Sequence, residues 1–430
     1  MKKKLIVNLI LLSLASIPCV VSAATPLPEG TPDGTPENDY SAKGLRAGSF
    51  TIKPTLELGG NWNSNIFNGD SRVTPDTNAF VTHIKPSLNV ASNWNRHAVD
   101  LNVQSDIQNY IDHPHEDRQI VNVDLNGRLD VLRDSFAFAR FGYVNQPEQR
   151  GAPDSPVNAV KPTGHQTLLG QLGYDHQIYR VRVNANHLIA QDIFADGETG
   201  AGTTIKNNQN RSRMTNTSTL RLGYEIRPGY EAFVKGSYNF INYDSKYQQG
   251  ALGLPDTQRS SKGYSVVTGL ALELTGKLTG NARIGYQSQN YDDPRLSTIS
   301  GVAGGLTLKW TPTGLTTVTS DVTRSINETT QVGSTGFFST AFTTTVEHEL
   351  LRNLTLSAQG GYTYNEYIGG NFPNPARTES VYLASVGAKY LLNRYLFANT
   401  SYQYNNRQVQ NVAGVNYDSN IVYVGIGSQF

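Results

Sequence analysis

The sequence predicts an all-β fold, a transmembrane antiparallel up-and-down β-barrel of about 18 strands behind a cleaved signal peptide. Three observations lead there. The chain opens with an export leader. Most of the remainder alternates apolar and polar residues with a period of two, the mark of strands with two unlike faces. The connections between those segments alternate short and long. Composition agrees. Of 430 residues only 17% are charged and 38% hydrophobic, less charge than a soluble multidomain enzyme carries. The 23 Tyr and 15 Phe exclude disorder. With 40 Gly and modest hydrophobicity, they fit a barrel that is wet inside and apolar outside.

In chain order, Met1-Lys2-Lys3-Lys4 is a positive leader end and Leu5–Val21 is mostly apolar. Ser22-Ala23-Ala24 offers small residues, which places cleavage after Ala23 or Ala24. Asn8 and Pro18 weaken the alternative of a spanning anchor helix. Cys19 is the only cysteine and falls in the leader, so the exported chain has no disulfide and no thiolate metal site. Residues 25–49 carry three Thr-Pro steps with Gly between them, which reads as a flexible periplasmic tail. The barrel is expected from 50 to 430.

The clearest strand is Leu354 to Asn365. Leu354, Leu356, Ala358, Gly360, Tyr362 and Tyr364 share one face; Thr, Ser, Gln and Asn dominate the other. An aliphatic middle that ends in tyrosines suits a lipid-facing strand meeting an aromatic girdle. The segments at 99–108, 121–130 and 278–287 repeat the pattern, while 315–324 is mostly Thr and the least convincing.

Tight turns are expected at 93–95, 133–134, 177–179, 227–229, 275–277, 311–313, 351–353 and 392–394. Longer polar connections lie at 61–77, 112–116, 147–164, 195–212, 245–260, 292–297, 327–335, 368–376 and 407–415. A soluble β-sandwich shows no such rhythm, whereas short periplasmic turns and long outer loops are the rule in bacterial outer-membrane barrels. These connections imply 18 strands, and a miscounted hairpin would give 16 or 20. An even count puts both chain ends on the periplasmic side. A barrel of this size leaves an aqueous lumen. Connections 147–164 and 195–212 are long enough to fold inward as a constriction; plain surface loops are the other reading.

The final strand sets Val422, Val424, Ile426, Ser428 and Phe430 on one face. Closure against the first strand removes the free edge. A terminal aromatic strand resembles the signal read by the barrel-assembly machinery, so Val422, Val424, Ile426 and Phe430 are the expected assembly signal. Ser428 departs from the usual large apolar residue there.

Catalytic motifs are missing: no phosphate-binding loop, no dinucleotide fingerprint, no zinc-protease or nucleophile-elbow pattern. The sequence calls for no enzyme activity, no cofactor and no metal. His113-Pro114-His115-Glu116-Asp117 is the only ligand-like group, and a solvated outer turn accounts for it. Net charge is +1, or −2 without the leader lysines, so nothing suggests a nucleic-acid partner. The wet face is more telling. Arg128, Arg140, Arg182, Arg221 and Arg283 are expected to face the lumen with Asp100, Asp106, Asp124 and Glu225. Charges in a pore set solute preference, or merely brace the wall.

The turn Ser92-Asn93-Trp94-Asn95-Arg96-His97, the long run of hairpins and the terminal Phe430 resemble the putative β-barrel porin 2 family of Gram-negative outer-membrane proteins. The resemblance covers about Phe50 to Phe430. It implies an outer-membrane location, lipid and lipopolysaccharide around the wall, and a hydrophilic solute or polysaccharide as cargo. The expected function is a porin-like passive channel for small hydrophilic solutes. Exopolysaccharide export is the alternative implied by the family, and an adhesive barrel without transport is a third class.

Overall fold

A computed structural model describes residues 40–73, 75–152, 154–155, 159–198, 204–205, 208–246, 257–331, 333–369, 377–412 and 414–430. The expected leader, its cleavage site at Ala23 and Ala24, and most of the expected tail lie outside these residues.

Among the described residues one nineteen-stranded antiparallel sheet closes on itself. Its first member is a short strand, Leu45–Ala47, and the other eighteen form the barrel wall. They are β1 (Phe50–Asn63), β2 (Ala79–Ser92), β3 (Ala98–Tyr110), β4 (Arg118–Leu132), β5 (Ser135–Asn145) and β6 (His165–Ile178). Next come β7 (Val181–Phe194), β8 (Arg213–Arg227), β9 (Tyr230–Tyr243), β10 (Ser261–Thr275), β11 (Leu278–Tyr291) and β12 (Ile299–Thr313). The last six are β13 (Thr316–Glu328), β14 (Gly336–Leu351), β15 (Leu354–Ile368), β16 (Thr378–Leu391), β17 (Leu396–Gln410) and β18 (Tyr417–Gln429). Every strand pairs with its sequence neighbour, and β1 also pairs with β18 from Thr55↔Gln429 to Asn63↔Ile421.

Two details differ from the sequence reading. Within the segment read as a tail, Leu45–Ala47 folds back on Phe50–Ile52 as a small hairpin, with Gly48 at φ 58 in the turn. The turn expected at Pro312 lies instead at Gly314-Leu315, because β12 continues through an irregularity between Trp310 and Thr313. Proline has no N–H for the ladder and is accommodated where pairing slips.

Alternation produces two surfaces. Leu58, Leu220, Ile284, Val302, Val424 and Ile426 are exposed on the outer face, as lipid-facing residues must be in a barrel whose backbone groups pair mostly within the wall. Outward aromatics gather at both ends of the strands. Tyr264, Tyr286, Tyr362 and Tyr382 stand toward the loop end; Tyr224, Trp310, Tyr390 and Tyr395 stand toward the short-turn end. Two girdles of this kind mark the two membrane interfaces.

There is no single apolar core. Buried apolar groups collect near the loop end, in one cluster of Ile66, Ala79, Val81 and Tyr110 and another of Tyr291, Ile299 and Phe338.

At the closing seam the Phe430 N–H donates to Pro54 O at 3.2 Å, and its ring lies 5.9 Å from Tyr395. Ser428 sits between Leu56 and Leu396. On the opposite face Tyr423 donates its hydroxyl to Glu57, which also accepts from Asn399 Nδ2 at 3.0 Å.

Candidate functional site

The candidate site is the enclosed face of the sheet and its mouth at the loop end. Strand parity places Arg128, Arg140, Arg182, Arg221, Arg283, Asp100, Asp106, Asp124 and Glu225 on the face opposite the exposed apolar residues. Most are paired. Arg140 meets Asp124 at 2.6 Å, Arg128 meets Asp130 at 2.8 Å, and Arg182 meets Asp175 at 2.9 Å. Arg221 pairs with Glu231. Asp106 faces His83 Nδ1 at 2.9 Å, and Asp100 accepts from Asn89 Nδ2 at 3.0 Å and Asn102 Nδ2 at 2.5 Å. Glu225 lies near the short-turn end, its N–H donating to Arg180 O at 2.7 Å.

Two cations, Lys235 and Arg283, stand apart from this pairing, and they gather with the paired Arg221. Lys235 is the register partner of Arg221 across β8–β9. Arg283 on β11 comes near Lys235 across β10, where Gly269 is its register partner and adds no side chain. Neither Lys235 nor Arg283 has an ion pair or hydrogen bond among the described residues. Asp321 is the nearest opposite charge to Arg283, and it accepts from Thr307 Oγ1 at 2.8 Å. Between β13 and β17 the same face is largely Thr, Ser, Asn and Gln.

The mouth is crossed by the described residues of the connection between β5 and β6, which are 146–152, 154–155 and 159–164. Its start is pinned by Glu148, which accepts from Arg211 Nη1 at 2.9 Å and Nη2 at 2.5 Å. Arg211 comes from the 195–212 connection, in a 3-10 turn over Asn208–Arg211. Arg150 is buried and donates to Glu116 at 2.5 and 3.3 Å, to Ala159 O at 2.6 Å and to Val160 O at 3.1 Å. Its own carbonyl accepts from Asn68 Nδ2 at 2.6 Å. Gly151 O accepts from Arg407 at the end of β17. Gly151 has φ 77, and a Cβ there would meet the Tyr417 ring at 2.8 Å, so only glycine fits. Farther on, Asp154 accepts from Thr329 Oγ1 at 2.8 Å and Thr330 N at 3.1 Å. Those threonines follow β13, nearly opposite β5 in an eighteen-stranded ring. The connection is a crossbar, anchored on both sides of the mouth.

Glu116 therefore departs from the solvated-turn reading. It is only 1% exposed, and the guanidinium of Arg150 takes the place of water around its carboxylate. No group of three or more metal-ligating side chains occurs among the described residues. Sequence reading missed Arg150, Asp154, Arg211 and Arg407, since loops and strand ends carry no periodicity to expose them. The one available signal was opposite charge in long connections, Glu116 against Arg150 and Glu148 against Arg211.

A family model described as "Putative beta-barrel porin 2" matches residues 37–430. No curated protein matches the chain. Among solved structures, OpdO of Pseudomonas aeruginosa is 11% identical, covering 88% of this chain and 97% of that one, with a TM-score of 0.44. OccAB4 of Acinetobacter baumannii is 14% identical, covering 88% and 98%, also at 0.44. OmpT of Vibrio cholerae lacking loop L8 is 11% identical, covering 89% and 100%, at 0.35. Likeness at this level carries no inference about solute.

Proposed function

Because the chain belongs to the putative β-barrel porin 2 family, we propose that this outer-membrane barrel passes small hydrophilic solutes with a preference for anions. The porin-like barrel is the premise; the charge preference is the proposal. The observation that carries it is the trio Arg221, Lys235 and Arg283, in which only Arg221 has a partner acid. Three cations at one place on a lumen wall lower the energy of a passing anion and raise that of a cation. The paired arginines elsewhere contribute less, since each is offset by a neighbouring carboxylate.

The crossbar of residues 146–164 supports a small cargo. A solute must pass beside it, and an extended polysaccharide would have to displace it. The export alternative gains no support from the family match or from this geometry. Contacts with lipopolysaccharide and with the assembly machinery stand as part of this proposal, motivated by the apolar belt and by Phe430 at the seam.

The test is a reversal-potential measurement on refolded protein in planar bilayers under a salt gradient. Anion selectivity is expected. K235E with R283Q should move the reversal potential toward cation selectivity. A potential that the double variant leaves unchanged would remove these residues from solute choice.

A further inference from the structure

Among the described residues the wall parts near the mouth, between β12 and β13. Strands β12 and β13 pair from Gly304↔Arg324 down to Trp310↔Val318, then at Thr313↔Thr316. Above Gly304 the ladder stops, although β12 continues to Ile299 and β13 to Glu328. Ile299–Ala303 remains paired with β11 on its other side, and Ser325–Glu328 with β14. Two intact hairpins have parted from each other.

The outer ends of β13 and β14 have moved to the enclosed side of β11 and β12. A Cβ on Gly301 would meet Phe338 Cζ at 2.8 Å, and one on Gly336 would meet Ile299 Cδ1 at 2.8 Å. Gly301 and Ile299 alternate with the exposed Val302, so they point into the barrel. Phe338 packs there with Tyr291 and Ile299, and Ile326 lies against the cluster. Glu328 accepts from Tyr243 on β9 and Tyr291 on β11, both at 3.2 Å. From the β9–β10 connection, Arg259 donates to Thr329 O at 2.5 Å and Ser334 O at 3.2 Å. The Gln287 side chain bridges the parted strands, donating to Val302 O at 3.2 Å and accepting from Ile326 N at 3.3 Å. A single side-chain amide thus stands where ladder bonds are missing.

The pattern of the displaced segment fits a second position. Extending the register beyond Gly304↔Arg324 would set Val302 against Ile326 and Ser300 against Glu328. Ile326 shares its parity with Val318 and Val322, and Phe338 with the exposed Phe342, so in a completed ladder both would join the lipid-facing surface. Arg324 and Glu328 share that parity, so the two apolar groups would join the outer surface between charged neighbours. The free edge of Ile299–Ala303 is the matching half, and an unpaired edge favours being paired.

We propose that the outer ends of β13 and β14 are a gate with two seats. In the observed seat they lean into the mouth, latched by Gln287, Glu328 and Arg259, and hold the crossbar through Thr329 and Thr330. In the other seat they zip onto β12, withdraw those threonines from Asp154 and widen the mouth. The proposal goes beyond the solute reading and does not depend on which ion passes.

Two cysteine pairs test it, in a chain whose own Cys19 lies in the expected leader. G301C with F338C joins positions that face each other only in the leaning seat, where the Phe338 ring tip reaches Gly301. S300C with E328C joins positions now on opposite sides of β12, which become ladder partners only in the zipped seat. Both variants are checked for assembly by heat-modified gel mobility, with E328C alone as the control for loss of the latch. Oxidation is expected to crosslink both pairs in outer membranes. It should lower conductance several-fold in the first and raise it in the second, with reductant reversing each. An assembled S300C/E328C protein that never crosslinks would overturn the gate, as would equal conductance of the two oxidised forms. The crosslink is read on gels, so a barrel without conductance would sink the channel reading and leave the two seats still decided.

Discussion

Asp154 accepts one hydrogen bond from the Thr329 hydroxyl and another from the Thr330 N–H, at 2.8 and 3.1 Å, across the mouth of the barrel. The two partners are far apart in sequence and nearly opposite in the ring. This contact ties the crossbar to the leaning hairpin. D154A should release that end of the crossbar. Hydrogen bonds to a charged group are worth about 1.5–3 kcal/mol, so the detached state should rise roughly tenfold or more. Single-channel recordings should show larger or noisier openings, and traces identical to the parent would mean that the crossbar is held elsewhere.

Arg150 of the crossbar and Glu116 of the connection before β4 form a buried pair. R150A would leave the buried Glu116 carboxylate with only the longer 3.8 Å contact to Arg118, at a cost of up to about 3–5 kcal/mol. Denaturant unfolding should shift to lower concentration, and the outer connections should become sensitive to protease. R150M with E116Q should recover part of the loss because the buried carboxylate is gone, with the recovery limited by Arg118, which loses its 3.8 Å partner. An R150A protein as resistant as the parent would contradict the assignment.

The closing seam makes Leu58 and Ile426 register partners on the exposed face. L58C with I426C should crosslink in intact outer membranes. Removal of Phe430 takes away its N–H bond to Pro54 O and its ring beside Tyr395. The yield of heat-modifiable barrel should then fall by much more than for truncation of a soluble fold. Normal yield would argue against any assembly role for the terminal residue.

Two outer connections should resist acid. The hydrogen bond from Arg72 holds Asp70 down at about 2, and Arg295 likewise holds Asp293 well below the usual carboxylate range. A carboxylate with a depressed folded pKa contributes stability that is present above its unfolded value and lost as pH falls through the folded one. Both turns should therefore stay intact from pH 8 to about 4 and loosen only as pH approaches about 2. NMR titration of the labelled carboxyl carbons checks this, and an Asp70 midpoint near 4 would refute it.

Much of the barrel was legible because a period of two is a local property. Leu354–Asn365 read as a strand from its own residues, and β15 spans Leu354–Ile368. Even the Thr-rich 315–324 segment is a strand, Thr316–Glu328, since hydroxyl side chains suit a face that neighbours already pair. Pro312 misled for an equally local reason: it reads as a turn, but a slipped register absorbed it. The site was less legible. Arg283 was read onto the inner face from its parity and Lys235 was missed, and their nearness follows only from the register across β10. The inward path of 146–164 depends on Asn68, Glu116, Arg211, Thr329 and Arg407, which come from five separate parts of the chain.

By itself, the sequence determined the strand count, the two faces and the seam between first and last strands, because alternation, turn spacing and an even number of strands leave little freedom. Closing the sheet decided the rest. Only a ring brings Asp154 to Thr329, and only the competition between ladder bonds on β12 and the Tyr291–Ile299–Phe338 cluster turns the β13–β14 tip inward. Those are differences between long-range contacts of similar strength, and no local pattern records which of them wins.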